Sequence, residues 1–541
     1  MNNVVHDLLL NAAEKFPEKS ALFFKNDSMS FAEIKTNAQS LSAALMRCGV
    51  QKGDRVAFLM EKRFEKVISI FGISMAGGVF VPIRRLLHAS QVAHIVKDSG
   101  AKVLITAASR FEDIAETVGH LPGLETVILL DGNEKQLQDW PKSIRVLNWQ
   151  DAVAENGPEN TDICPTIATD LAAILYTSGS TGQPKGVVLS HLNIVAGAEK
   201  VSSYLKITER DRLLSILTFS FDYGLNQLTG AFLHGAQLVL LDYLFPKDIL
   251  KAVARYRITG LAAVATTWIQ LMQISWEEFD LDSLRYLTNT GGKIPENYVR
   301  MLRHRLPDAS LYLMYGLTEA FRSTYLEPAL VDQYPTSIGK AIPGEEILIL
   351  DENNQSVKPG GVGELVHRGV LVAQGYWNAP ELTAQRYRPN PLQQKEVPSR
   401  EMVVYSGDYV RIDEKGLLYF VGRKDEMIKC AGNRISPTEV EDILYACEAV
   451  QDAVAMGIPH EFYGQSVMAI VVPKAHSHLT QQELLAYCKR QMPAYMIPAE
   501  VEFRDSFPRH DNGKLNRSQI IKEAMAQLAQ HPMVESNAII S

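Results

Sequence analysis

An apolar run from Leu171 to Leu175 passes straight into a turn holding Thr177, Ser178, Gly179, Ser180, Thr181, Gly182 and Lys185. The run reads as a buried strand. Four hydroxyl residues and three glycines, counting Gly186, crowd the turn behind it. Glycines let backbone N–H groups converge, hydroxyls add short donors, and Lys185 adds a cation, a composition suited to wrapping a polyphosphate. The pattern is not the common P-loop, in which Gly-Lys precedes Ser or Thr. Here Lys185 follows Pro184 and precedes Gly186. Taken alone, a Ser/Gly turn is equally readable as a solvated loop.

With 541 residues the chain is too long for a single core, so two or three domains are expected. Apolar strands at Val56–Met60 and Val103–Thr106 flank helical stretches such as Phe64–Ala76. Further strands are expected at Leu238–Leu241 and Leu261–Val264. This alternation predicts an α/β fold with largely parallel sheets. Before it, residues 4–50 read as helices around one extended segment, Ser20–Phe24. Residues 132–168 read as an irregular connector. A β-rich section is expected over Glu346–Phe420, with an exposed proline-containing loop at 386–400. A smaller α+β unit follows. The boundaries predicted are 1–424 for a large domain, 425–524 for a small mobile one, and 525–541 for a tail that frays.

A net charge of −8 gives no footprint for nucleic acid. Five scattered cysteines without CxxC spacing argue against a disulfide framework or zinc site and fit a reducing compartment. No signal-peptide core and no apolar run of membrane-spanning length is seen, so a soluble cytoplasmic protein with no membrane span is expected.

The ordered string Tyr176-Thr-Ser-Gly-Ser-Thr-Gly-Gln-Pro-Lys-Gly186 resembles the phosphate loop of the adenylate-forming superfamily, which includes acyl-CoA synthetases, luciferases and peptide-synthetase adenylation domains. Further matches follow in the same order. They are Tyr315-Gly316-Leu317-Thr318-Glu319, Tyr405-Ser406-Gly407-Asp408, Gly422-Arg423-Lys424-Asp425, and Asn512-Gly513-Lys514. The resemblance covers nearly the whole chain. It implies ATP and Mg²⁺ as cofactors. Tyr315 would stack on adenine beside Gly316, with Gly291 and Gly292 also at the nucleotide. Asp408 and Arg423 would reach the ribose. Thr318 and Glu319 would lie near the phosphates, with Glu319 as a metal ligand, a sensible hard oxygen donor for that ion. Lys514 would be the catalytic lysine and Asp425 the interdomain hinge.

The chemistry so implied is attack of an ionised carboxylate on the α-phosphorus of ATP, followed by transfer of the acyl group to a thiol. The first step needs no general base; it needs positive charge where an anion meets a polyanion. The acid is read from Phe219-Ser220-Phe221-Asp222-Tyr223-Gly224. In amino-acid-activating relatives a Phe-Asp at this place binds the substrate ammonium. A buried aspartate is costly without a cation, so the same role suits Asp222. The competing reading makes Asp222 the N-cap of a helix starting near Leu225. The pocket would also include Tyr223, Asn226, Thr288, Thr290, Met314, Arg322 and Ser323. Arg322 could meet a substrate side-chain carboxylate or bridge to Asp222. Leu317 and the stretch Gly432–Glu441 look closer to CoA ligases. Expected partners are therefore a small carboxylic acid, with an amino acid favoured, and a thiol on either a carrier protein or CoA. An acyl-CoA synthetase for a short or polar acid is the alternative, and a nucleotide-binding regulatory protein without catalysis the third reading.

Overall fold

The computed structural model describes residues 2–132, 144–154, 163–178, 184–424, 426–430, 433–460, 464–475, 477–510 and 513–530. Two large sheets lie side by side. One has seven strands in the order Arg145–Asn148, Thr126–Leu129, Ala101–Thr106, Arg55–Leu59, Val79–Ile83, Leu171–Ser178, Pro184–Ser190. All its pairings are parallel except the last, the antiparallel hairpin of Leu171–Ser178 and Pro184–Ser190. The other has nine strands, with a parallel centre running from Ser310–Tyr315 through Tyr286–Asn289, Gly260–Ala263, Arg212–Ser215 and Gln237–Leu240 to Ser20–Phe24. Strand Val79–Ile83 is buried at every position, as expected of a parallel strand covered on both faces.

The largest apolar core joins the two sheets through helices Val5–Lys15, Phe31–Arg47, Phe64–Met75 and Asp222–His234. A second core covers the far face of the seven-stranded sheet. Helix Phe31–Arg47 starts where the sequence provides a capping box. Ser30 Oγ accepts from Glu33 N at 3.2 Å, and Glu33 Oε2 accepts from Ser30 N at 2.7 Å. An antiparallel sheet follows, built on Met402–Ile412, Val362–Arg368, Glu346–Leu350 and Leu418–Arg423. A separate small domain carries Val450–His460, Gly464–Pro473 and Glu500–Phe503, with apolar clusters on both faces of its sheet. The expected α/β class with a small α+β unit is what the chain adopts. No helix among the described residues is long and apolar enough to cross a membrane.

Local expectations need correction at four places. Asp27–Ser30 is a strand, so the 4–50 region holds a hairpin rather than one extended segment. The connector 132–168 contains strand Arg145–Asn148 and helix Trp149–Ala154. The loop 386–400 begins with Tyr387–Pro389, which pairs with Met402–Val404. The last helix, Arg517–Gln530, runs past the point where a tail was expected.

Candidate active site

The site forms where strands of the nine-stranded sheet end and the small domain meets them. Strand Ser310–Tyr315 delivers Tyr315 and Gly316, and a short 3₁₀ turn at Thr318–Ala320 delivers Thr318 and Glu319. Helix Asp222–His234 begins at Asp222 itself, with Phe221 in the N-cap position. The N-cap reading of Asp222 is thus corrected. Its carboxylate is 2% exposed, and Oδ1 accepts from Thr318 Oγ1 at 3.0 Å. Burial raises its pKa, while the Arg322 guanidinium, the Thr318 bond and Lys514 oppose that rise.

Lys514 reaches this point from the small domain. Its Nζ lies 5.0 Å from the centre of the Phe221 ring. Its side chain crosses Gly291 so closely that a Cβ there would sit 2.6 Å from Cε and 2.8 Å from Nζ. The turn holding it is closed by Lys514 O, which accepts from His510 N at 2.7 Å. The neighbouring Gly513 rests against the large domain, where a Cβ would meet Thr266 Oγ1 at 2.9 Å. Burial pulls the Lys514 ammonium down to about 8; Asp222 opposes this, while Arg84 and Arg322 reinforce it.

A second cluster lies one residue from Thr318. Glu319 Oε1 accepts from Tyr376 Oη at 2.5 Å, and Lys185 Nζ is 3.1 Å from that hydroxyl and 3.7 Å from Glu319 Oε1. Lys185 also lies over the Tyr376 ring at 4.4 Å. Thr177 faces Lys185 across the antiparallel hairpin, and its buried Oγ1 has no partner among the described residues. Gly179, Ser180, Thr181 and Gly182 lie outside the described residues, as does the side chain of Ser178. So does Asp425.

The third cluster is Tyr315, Asp408 and Arg423. Tyr315 Oη donates to Asp408 Oδ2 at 2.5 Å, and Arg423 Nε lies 3.3 Å from Asp408 Oδ1. Burial raises the Asp408 pKa against the pull of Arg423 and Tyr315. Gly292 closes the floor by accepting from Asn289 Nδ2 at 2.9 Å.

The residues expected to line the acid pocket also converge. Tyr223 Oη bonds Thr288 Oγ1, and Tyr204 Oη donates to Met314 Sδ at 3.0 Å. Asn226 Nδ2 and Thr290 Oγ1 are buried without partners among the described residues. Arg322 is 1% exposed, with its guanidinium 4.9 Å from the Tyr223 ring centre. Sequence reasoning missed Tyr376 and Phe221 as parts of the site. The aromatic pair Tyr376-Trp377 after Gly375 was a signal for the first. Its partnership with Glu319, however, spans 57 positions and is purely tertiary.

The profile of the AMP-binding enzyme family matches residues 9–377, and that of its C-terminal domain matches residues 439–514. The chain belongs to the AMP-binding enzymes. It is an AMP-forming acid–thiol ligase. Its relatives fall in two groups. A long-chain-fatty-acid–CoA ligase of Bacillus subtilis is 29% identical over 96% of this chain and 95% of its own length. A linear gramicidin synthase of Brevibacillus parabrevis is 31% identical over 95% of this chain, which spans only 6% of that much longer protein. Among solved structures, ATP-bound MatB from Rhodopseudomonas palustris superposes with a TM-score of 0.84 at 25% identity, covering 98% of this chain and 100% of that one. The anthranilate CoA ligase AuaEII, bound to anthranoyl-AMP, gives 0.86 at 24% identity over 98% of each chain, a likeness of fold.

Proposed function

We propose that this AMP-binding enzyme uses ATP to activate an amino acid as its acyl-adenylate, then passes the acyl group to the phosphopantetheine thiol of a separate carrier protein. The observation that carries the amino-acid reading is Asp222, a buried carboxylate whose side-chain donor among the described residues is Thr318. Arg322 and Lys514 offset the cost of burying it only in part, since its pKa stays raised, and a substrate ammonium would supply a directly bonded counter-charge. The gramicidin synthase relatives agree with that choice.

In the first step a carboxylate oxygen forms a bond to the α-phosphorus and the bond to pyrophosphate breaks. Lys514, whose ammonium lies over the Phe221 ring, would face the incoming carboxylate and the α-phosphate, where negative charge builds. Lys185, held by Glu319 and Tyr376, would face the leaving pyrophosphate. Glu319 is the residue that would hold Mg²⁺, since this ion is commonly bound through one carboxylate plus substrate phosphates. The metal would supply charge neutralisation on the phosphates. Asp408 and Arg423 would hold the ribose, and the Tyr315 hydroxyl fixes the Asp408 carboxylate for that contact. After rotation of the small domain about Asp425, the carrier thiol would lose its proton and bond to the acyl carbon as the acyl–phosphate bond breaks and AMP leaves.

A second reading, an acyl-CoA synthetase for a short or polar acid, is favoured by the full-length match to a CoA ligase. Pyrophosphate exchange with paired acids separates the two. Amino acids should outperform their deaminated counterparts, and Asp222→Ala should erase that advantage. Equal rates for both members of each pair would overturn the ammonium contact. Mass spectrometry of carrier protein and CoA offered together then identifies the acceptor.

A further inference from the structure

Arg322 is one of the largest fully buried side chains of the protein, yet its Nε and Nη2 have no hydrogen-bond acceptor among the described residues. A buried guanidinium left in that state is expensive, because desolvation is repaid only by a paired and hydrogen-bonded counter-charge. The neighbouring carboxylate, Asp222, does not fill the role: it accepts from Thr318. Two opposite charges thus share one pocket without hydrogen-bonding each other.

The backbone shows that Arg322 is held there at a cost. Phe321, the residue before it, has φ 55° and ψ −57°. Arg322 N donates back to Ala320 O at 2.5 Å, closing a γ-turn, a strained conformation for a bulky L-residue. The next residue is anchored from behind. Ser323 Oγ is 2.9 Å from His367 Nδ1, and His367 Nε2 is 2.8 Å from Glu345 Oε2, all fully buried. The turn therefore aims a fixed guanidinium across the Tyr223 ring instead of releasing it to water. Asn226 Nδ2 adds a second unused donor one helical turn from Asp222, and Thr290 Oγ1 a third polar group.

We propose that Arg322 binds a second anionic group of the carboxylic acid, so that the substrate is a diacid or an acid bearing a comparable anion. This deepens the function proposed above and rests on it only for acid adenylation at this site, not for the ammonium contact. Where that contact also holds, the class narrows to acidic amino acids, whose ammonium and side-chain carboxylate match Asp222 and Arg322 respectively.

The test is pyrophosphate exchange by the full chain with aspartate, glutamate, asparagine, glutamine, malonate, succinate, glutarate and butyrate. The charged member of at least one isosteric pair should exceed its amide or monoacid counterpart by roughly a hundredfold or more in kcat/KM, the scale expected when a buried polar group would be left unpaired. Arg322→Met should collapse that ratio and raise use of the neutral acid; Arg322→Lys should keep part of it. Asparagine and glutamine used as well as or better than aspartate and glutamate, with no diacid preferred, would overturn the proposal while leaving the amino-acid reading intact; butyrate used alone would overturn both. Diacids preferred over all amino acids would uphold Arg322 and overturn the role of Asp222. The wild-type ratio decides the matter by itself if Arg322→Met fails to fold.

Discussion

Lys514 and Asp222 carry most of the argument at the residue scale, and they were legible to different degrees. Lys514 follows an Asn-Gly pair in a polar stretch, which by itself would suggest a solvated side chain. Only its order relative to the other motifs pointed to the active site. The fold adds the physics. The ammonium lies over Phe221 and Gly291, and burial lowers its pKa to about 8. Below that value the side chain is charged, and above it the charge is lost. Adenylation kcat/KM, which reports the free enzyme, should therefore fall as pH rises through about 8. Lys514→Arg holds its charge throughout and should show no such alkaline limb at whatever residual rate it keeps. An unchanged limb in that variant would place the titrating group elsewhere. Gly375-Tyr376-Trp377 marks Tyr376 in the sequence, but its partnership is illegible there because nothing local ties it to Lys185 and Glu319; the hairpin and the 3₁₀ turn meet only in the folded chain.

At the element scale, the buried parallel strands could be read directly, since Arg55–Leu59 and Gln237–Leu240 are apolar runs of strand length. The strands that escaped are edges. Asp27–Ser30 and Arg145–Asn148 are polar and at least partly exposed, so they show no apolar run. Tyr387–Pro389 was hidden by its proline, which is tolerated at the edge position it occupies. The γ-turn at Phe321 was equally invisible, because only tertiary packing enforces a positive φ on phenylalanine. Its ring packs on Gly197, where an added Cβ would come within 2.4 Å. Gly197→Ala should thus push Phe321 and destabilise the protein by about 1–3 kcal/mol, the usual scale of overpacking. If this turn sets the acid-binding arginine, KM for the acid should rise along with the drop in Tm. A lower Tm with KM unchanged would separate the turn from recognition.

At the scale of the whole molecule, the two domains meet in an arrangement that places Lys514 at the pocket. Lys293, directly after Gly292, pairs with Asp442 on the small-domain helix Pro437–Tyr445, and Ser436 Oγ donates to Val421 O. Partly exposed pairs of this kind contribute roughly 0.2–1 kcal/mol. Asp442→Ala should accordingly slow adenylation by up to about fivefold and leave thioester formation from preformed adenylate unaffected; equal slowing of both steps would rule out a role in closing the domains. A second global effect comes from buried histidines. Burial lowers the pKa of His6 and takes that of His191 down to about 4. Unfolded histidines bind protons below about 6.5, so between there and about 4 the unfolded chain holds more protons and stability drops as the pH is lowered. His191→Asn can still accept from Val5 N, a bond of 3.1 Å in the native protein, and its Tm should decline less steeply over that range.

The central claim is that Lys514 and the large-domain site together join a carboxylate to the α-phosphorus of ATP. Acid-dependent exchange of labelled pyrophosphate into ATP, run with the wild-type chain and with Lys514→Ala, tests it most directly. Exchange should require both ATP and an acid and should fall by about 10²–10³ in the variant, whose thermal unfolding stays close to wild type. Exchange in Lys514→Ala at the wild-type rate, or none in the wild-type chain with any acid, would contradict the claim.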